Sequence, residues 1–272
     1  MKKYDVENHE PSLLPDEGEW ELVWSDEFDG DTLDMSKWDY RTSMMGKEHP
    51  AWVKDGVEVD GESNLVFTLL EKDGKPVSAQ LQTGYNFMDQ PLEKTKFGED
   101  DLQWNIGKLH ENKFLHKYGY YECRCKLQQK YGWWSAFWIQ SPIIGATLDP
   151  AESGTEVDIM ECFNESEIAA HNAFTGGYGL DMKHKCVGGV KDIDKTEFHR
   201  FGLLWDESGY TFYIDGKEDG HISEFVSKRP QFILISTEPQ GYRHGDLQPT
   251  KEAFESVGDK FIVDYIRVFD LK

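Results

Sequence analysis

From Trp20 onward, short runs rich in Val, Ile, Phe, Tyr and Trp recur at intervals of roughly 8 to 12 residues, each bounded by Gly, Asp or Asn. This punctuation restricts the fold more than any other feature, because it is the pattern of an antiparallel sandwich or barrel. The runs fall at 19–24, 64–70, 118–127, 135–140, 156–162, 198–205, 210–214, 231–237 and 260–269. Asp215-Gly216 closes a predicted hairpin, since a tight primed turn needs positive φ angles that this dipeptide supplies. No long segment keeps a helical stripe; 250–256 comes nearest and is too short to count. The expected fold class is all-β, with a single domain at 19–272. An N-terminal arm at 1–18, rich in acids and carrying Pro11 and Pro15, either wraps the domain or hangs free.

Composition narrows the partners. The 272 residues carry 51 Asp and Glu against 29 Lys and Arg, a net charge of −22. Binding to nucleic acid or to an anionic membrane surface needs clustered cations, so neither is expected. Yet 38% hydrophobic residues, with 9 Trp, 12 Tyr and 16 Phe, exclude a disordered acidic chain. No stretch approaches the roughly 18 apolar residues of a membrane span. The start lacks the apolar core of a signal peptide, which predicts a cytoplasmic protein or one whose leader has been removed. Cys123, Cys125, Cys162 and Cys186 lack zinc-type or redox spacing and are expected as core thiols. A monomer is expected.

The densest chemistry lies in Glu156-Val-Asp158-Ile-Met160-Glu161. Alternation along a strand puts Glu156 and Asp158 on one face and Val157 and Ile159 on the other, while Glu161 has the wrong parity. A β-bulge absorbing one residue, most simply Met160, returns Glu161 to the face of the other acids. Glu156 and Glu161 would then lie roughly 13 Å apart at Cα, and inward-leaning side chains would bring the carboxyls to about 5 Å. That separation suits a retaining glycosidase, in which one carboxylate attacks the anomeric carbon and the other protonates the leaving oxygen. Crowding forces the trio to keep a proton, which is expected on the acid catalyst. An acidic stripe on a solvated face would show the same spacing.

The preceding run, Tyr131-Gly-Trp133-Trp134-Ser-Ala136-Phe137-Trp138, puts Trp134, Ala136 and Trp138 on one face and Phe137 on the other. Two indoles flanking an alanine make apolar platforms of the kind that stack sugar rings; core aromatics are the alternative. The segment 85–116, with Pro91, Gly98 and Gly107, is long for a connection and is read as a wall or lid of a cleft.

These residues resemble glycoside hydrolase family 16. The resemblance runs from Trp20 to Phe269 through Trp24-Ser-Asp-Glu-Phe-Asp-Gly30, Lys37-Trp38, Asn64-Leu65-Val66, Tyr118-Gly119-Tyr120-Tyr121-Glu122, the tryptophan run, the carboxylate run, Phe212-Tyr213-Ile214-Asp215-Gly216 and Val263-Asp264-Tyr265-Ile266-Arg267-Val268. It implies a concanavalin-like β-jelly-roll sandwich of two antiparallel sheets with a concave substrate cleft. It further implies retaining, endo-acting hydrolysis of a β-linked polysaccharide, with Glu156 as nucleophile, Glu161 as acid/base and Asp158 assisting. The bulged motif is similar to that of laminarinases, agarases and related galactanases.

By the same resemblance, Trp134 and Trp138 line the non-reducing side, His171 and Tyr178 the acceptor side, and Tyr85 stands where many glucanases carry arginine. A hydrogen-bonded strand histidine is the alternative for His171. No cofactor is required; a structural calcium at Glu27 and Asp264 is implied, against which two surface acids weigh equally. β-1,3-glucan is slightly favoured over β-galactan of the agar, porphyran or mucin type, because −22 repels a strongly anionic polysaccharide unless cations line the cleft. Lys183, His184, Lys185, Arg243 and His244 are candidates for such cations. The alternative outside enzymes is a silent carbohydrate-binding module, which has no reason to keep three repelling acids together.

Overall fold

The computed structural model describes residues 1–91, 93–94, 103–104, 110–164, 167–189, 192–242 and 248–272. Two antiparallel sheets pack face to face. The first runs Lys183–Val187, Glu167–Thr175, Glu156–Asn164, Trp133–Gln140, Phe232–Pro239, Gln80–Gln82 and Asp39–Tyr40. The second runs Lys217–Ile222, Gly209–Ile214, His199–Asp206, Gly119–Lys126, Lys260–Leu271, Leu65–Thr68 and Val57–Val59, with Trp20–Asp26 also pairing to Lys260–Leu271. All nine sequence-predicted runs are strands within a few residues of their expected bounds. Asp215 and Gly216 take φ of 48° and 77°, as the hairpin between Gly209–Ile214 and Lys217–Ile222 demands.

Alternation explains the core. Phe137, Ile139, Val157, Ile233 and Ile235 from the first sheet meet Tyr121, Cys123, Phe201, Leu203 and Val268 from the second, all fully buried. Each such side chain contributes about 1.5–3 kcal/mol through burial. Cys125 and Cys162 join this core, but Cys186 is exposed, which corrects its expected place. Among the described residues helix is limited to a 3-10 turn at Lys54–Gly56 and two short α-helices: Pro150–Ser153, capped by the Asp149 side chain, and Lys251–Glu255, capped by Thr250, inside the stretch read as too short to count.

The first residues form a hairpin, Lys2–Tyr4 against Ser12–Leu14. Leu14 and Tyr4 pack with Trp20, Tyr120 and Phe269 on the outer face of the second sheet. Beneath the hairpin, the fully buried Arg267 donates to both oxygens of Glu27 at 2.9 and 2.7 Å, to the Glu10 carbonyl at 2.8 Å and to Ser12 Oγ at 2.9 Å. Glu122, whose burial raises its pKa above the usual range, accepts from the Leu13 amide and the Tyr265 hydroxyl.

Glu27 and Asp264, the residues implied for a calcium ion, are both engaged by arginines. Calcium needs six to eight oxygen ligands. Here the guanidinium of Arg267 already engages both Glu27 oxygens, and Arg124 Nη1 takes Asp264 at 2.6 Å. The two residues do not fit a calcium ion, and among the described residues no group of three or more His, Cys, Asp or Glu is disposed to hold a metal.

Removing one partner of a buried ion pair strands the other, at a cost of about 3–5 kcal/mol. Arg267→Ala is therefore expected to lose about that much stability, read from the guanidinium chloride midpoint at unchanged m. A loss below about 1 kcal/mol would contradict the role given to Arg267.

Candidate active site

The site grows from a register fault in Glu156–Asn164. Against Trp133–Gln140, Glu161 faces Ala136 and Met160 faces Phe137, but the next pair is Asp158 with Trp138, followed by Glu156 with Gln140. Ile159 is the extra residue, in place of the expected Met160, and both side chains are fully buried in the core. Two consecutive inward residues leave Glu156, Asp158 and Glu161 together on the outer face, where they line a cleft of about 250 Å³. Trp134, Ala136 and Trp138 line the same cleft, while Phe137 lies in the core, as parity requires.

Each acid has its own partners. Glu156 Oε2 accepts from Gln140 Nε2 at 3.0 Å and from the Tyr178 hydroxyl. Gln140 is itself oriented by Asn86, which donates to its Oε1 at 3.0 Å. Glu161 Oε2 accepts from Asn172 Nδ2 at 2.7 Å, and His184 Nε2 sits 2.8 Å from Asn172 Oδ1, which fixes the amide orientation. Asp158 is buried between the two. Its pKa is pushed well above the carboxylate range, first by burial, then by the charges of Glu161 and Glu156, and also by a hydrogen bond to Glu161. Burial between two carboxylates thus favours the protonated form of Asp158, which is hydrogen-bonded to Glu161.

His171 corrects the sequence expectation. It is fully buried on the core side of its strand, stacked on Phe212 at 4.6 Å, with Nδ1 donating to the Ile159 carbonyl at 2.6 Å and Nε2 3.3 Å from Asp219 Oδ2. It therefore does not reach the cleft but holds the bulge from below, and the cleft position belongs to its neighbour Asn172, directly opposite Asp158. Tyr178 comes to the cleft, but to Glu156. Tyr85 lies farther along the sheet, in an adjoining pocket of about 240 Å³, where it donates to Asp39 and stacks on His110 at 4.3 Å.

Of the expected cations, Lys185 pairs with Glu224 at 3.0 Å on the exposed edge strand; Arg243 and His244 lie outside the described residues. So does much of the segment read as a wall or lid. Its described part supplies Asn86 and also Asp89, which lines both pockets. Among the described residues, the cation that lines the cleft is Arg41, which sequence reasoning missed. It donates to Asp89 at 2.9 and 2.6 Å and to Gln80 at 3.1 Å, and its guanidinium lies 5.2 Å from the centre of the Trp138 ring. No local motif announces it.

Comparison with known proteins places this geometry. The chain is 28% identical over 207 residues to glucan endo-1,3-beta-glucosidase A1 of Niallia circulans, an alignment covering 72% of this chain and 28% of that protein. It is 26% identical over 282 residues to beta-porphyranase D of Zobellia galactanivorans, covering 91% of this chain and 60% of that protein. The chain thus spans less than two thirds of the length of either. Among solved structures, the catalytic domain of an endo-1,3-beta-glucanase (laminarinase) from Thermotoga petrophila superposes with a TM-score of 0.66 at 24% identity, covering 94% of this chain and all of that one. That likeness is one of fold, the jelly-roll sandwich expected from the sequence. Residues 20–271 match the family described as Beta-porphyranase A-D, GH16 domain, and the chain belongs to that family.

Proposed function

We propose that this chain is a retaining, endo-acting hydrolase of β-linked polysaccharide. The observation that carries the reading is the bulge, which sets Glu156 and Glu161 on one cleft face, on either side of a protonated Asp158 and beside the platforms Trp134 and Trp138. Glu156, whose Oε2 accepts from Gln140 and Tyr178, is assigned as nucleophile, and the carboxyl hydrogen-bonded to Asp158, and so in line for its proton, is that of Glu161. Glu161 is the acid/base. The proton held by Asp158 passes along their hydrogen bond to Glu161, which delivers it to the leaving oxygen as Glu156 attacks the anomeric carbon. Water then displaces Glu156, giving up its proton to Glu161, from which it returns to Asp158 and restores the starting state, with the anomeric configuration unchanged.

Endo action follows from cleft length. Asp158, Trp138, Leu234, Gln82 and Asp39 are cross-strand partners in a row over five strands. Four strand spacings give about 19 Å, room for several sugar rings. Of the two substrate classes, the family match over 20–271 favours β-galactan of the porphyran type. β-1,3-glucan is the second reading, supported by the Niallia relative.

A panel of porphyran, agarose, laminarin, mixed-linkage glucan and mucin glycans, with products read by mass and anomers by NMR, tests the reading. Retention is expected. Glu156→Gln should lose more than about a thousandfold in rate, and Glu161→Gln about 10²–10⁴-fold. Undiminished hydrolysis by Glu156→Gln would sink the mechanism.

Asp158 adds a stability signature. Its folded pKa lies above the unfolded value of about 3.9, so its contribution is complete below that value and is lost as pH rises through the folded pKa. Asp158→Asn cannot ionise and is expected to be more stable than wild type at neutral pH, with the gap in Tm closing towards about pH 4. A gap independent of pH would show that Asp158 does not carry the retained proton.

A further inference from the structure

Tyr178 reaches the cleft from a loop, not from a strand. Gly176 and Gly177 turn the chain at φ of 79° and 75°. The loop sits on backbone from 142–149: a Cβ on Gly145 would come within 2.7 Å of Gly177 Cα, so no side chain fits between them. The tyrosine hydroxyl donates to Glu156 Oε2, while Gln140 Nε2 donates to that hydroxyl and, at 3.0 Å, to the same oxygen. Burial and the charge of Glu156 push the ionisation of Tyr178 far above its ordinary range, so the phenol stays a donor. The other charged or titratable groups facing this pair are Asp158 and Glu161 on the carboxylate strand, and Arg41 and Asp89 across the cleft.

We propose that Tyr178 is a positioning residue that acts through Glu156 to speed breakdown of the glycosyl-enzyme, an inference that rests on the retaining reading above. In the first step the bond from Glu156 oxygen to the anomeric carbon forms and the bond to the leaving oxygen breaks. That oxygen keeps the electron pair and takes a proton from Glu161. Negative charge leaves Glu156, and the hydrogen bond from Tyr178 weakens. In the second step water oxygen bonds to the anomeric carbon, its proton goes to Glu161, and the bond to Glu156 breaks with its electron pair returning to the carboxylate. The charge that Tyr178 recognises now grows, so the hydrogen bond is stronger in the transition state than in the ester. Tyr178 keeps its proton throughout. The first step gains only orientation from it, because there the bond is strongest at the start.

Tyr178→Phe removes the hydroxyl and keeps the ring. A hydrogen bond to a charged group supports a fall in kcat of about ten- to a hundredfold, with KM falling in parallel and kcat/KM within about threefold of wild type. Glycosyl-enzyme should accumulate, read as an intact-protein mass adduct after acid quench during turnover of porphyran oligosaccharides, or of laminari-oligosaccharides if the wild type cleaves those. Azide, which intercepts the glycosyl-enzyme, should restore kcat in Tyr178→Phe. The acidic limb of kcat/KM should move up by about one pH unit, because Glu156 loses a donor to its ionised form. Equal falls in kcat and kcat/KM, with no adduct and no azide response, would overturn the proposal. So would wild-type kinetics and an unmoved acidic limb. Glu156→Gln run alongside separates the two levels: its full activity overturns the retaining reading, whereas its inactivity beside an unchanged Tyr178→Phe overturns the role of Tyr178 alone.

Discussion

One extra residue in one strand organises this molecule. Alternation alone would send Glu161 into the core or Ile159 into water, since a one-residue slip exchanges the two faces of a strand. By turning both Ile159 and Met160 inward, Glu156–Asn164 keeps its apolar contacts and also presents three acids on one face. The core stabilises the bulge through two large buried side chains, and His171 secures it by donating to the Ile159 carbonyl, with its ring held between Phe212 and Asp219. The chemistry therefore depends on packing at the opposite side of the sheet from the cleft.

Placing three carboxylates together is costly, and the structure meets the cost locally. Burial and its neighbours push Asp158 towards its protonated form, Glu156 receives Gln140 and Tyr178, and Glu161 receives Asn172 backed by His184. Elsewhere the acids are handled differently. Arg267 neutralises Glu27 beneath the N-terminal hairpin, and Arg41 neutralises Asp89 at the cleft wall. Both arginines are buried, and each is paired with its acid.

Alternation was legible wherever strands carry large apolar residues, which is why nine strands, the tryptophan platforms and the carboxylate face could be placed from residue order alone. It does not reach Glu167–Thr175, where Ala169, Ala170 and Ala173 carry little pattern and Ala169 takes a positive φ of 66°. His171 was put at the acceptor side by the family resemblance, which carries no information on which of His171 and Asn172 faces the cleft. Arg41 and Asp89 meet across 48 positions, and Tyr178 reaches Glu156 only because two distant loops touch at Gly145 and Gly177. Nor does the sequence reveal that Arg267, three residues after Asp264, is buried against Glu27. Contacts of this kind have no local periodicity.

The most direct measurement is to trap the covalent intermediate with a 2-deoxy-2-fluoro glycoside of a sugar that the wild type cleaves, and to map the label by peptide mass. The account predicts a single glycosyl adduct on the peptide carrying Glu156, on its carboxylate. An active enzyme that takes up no label, or one labelled at Glu161, Asp158 or elsewhere, would contradict it.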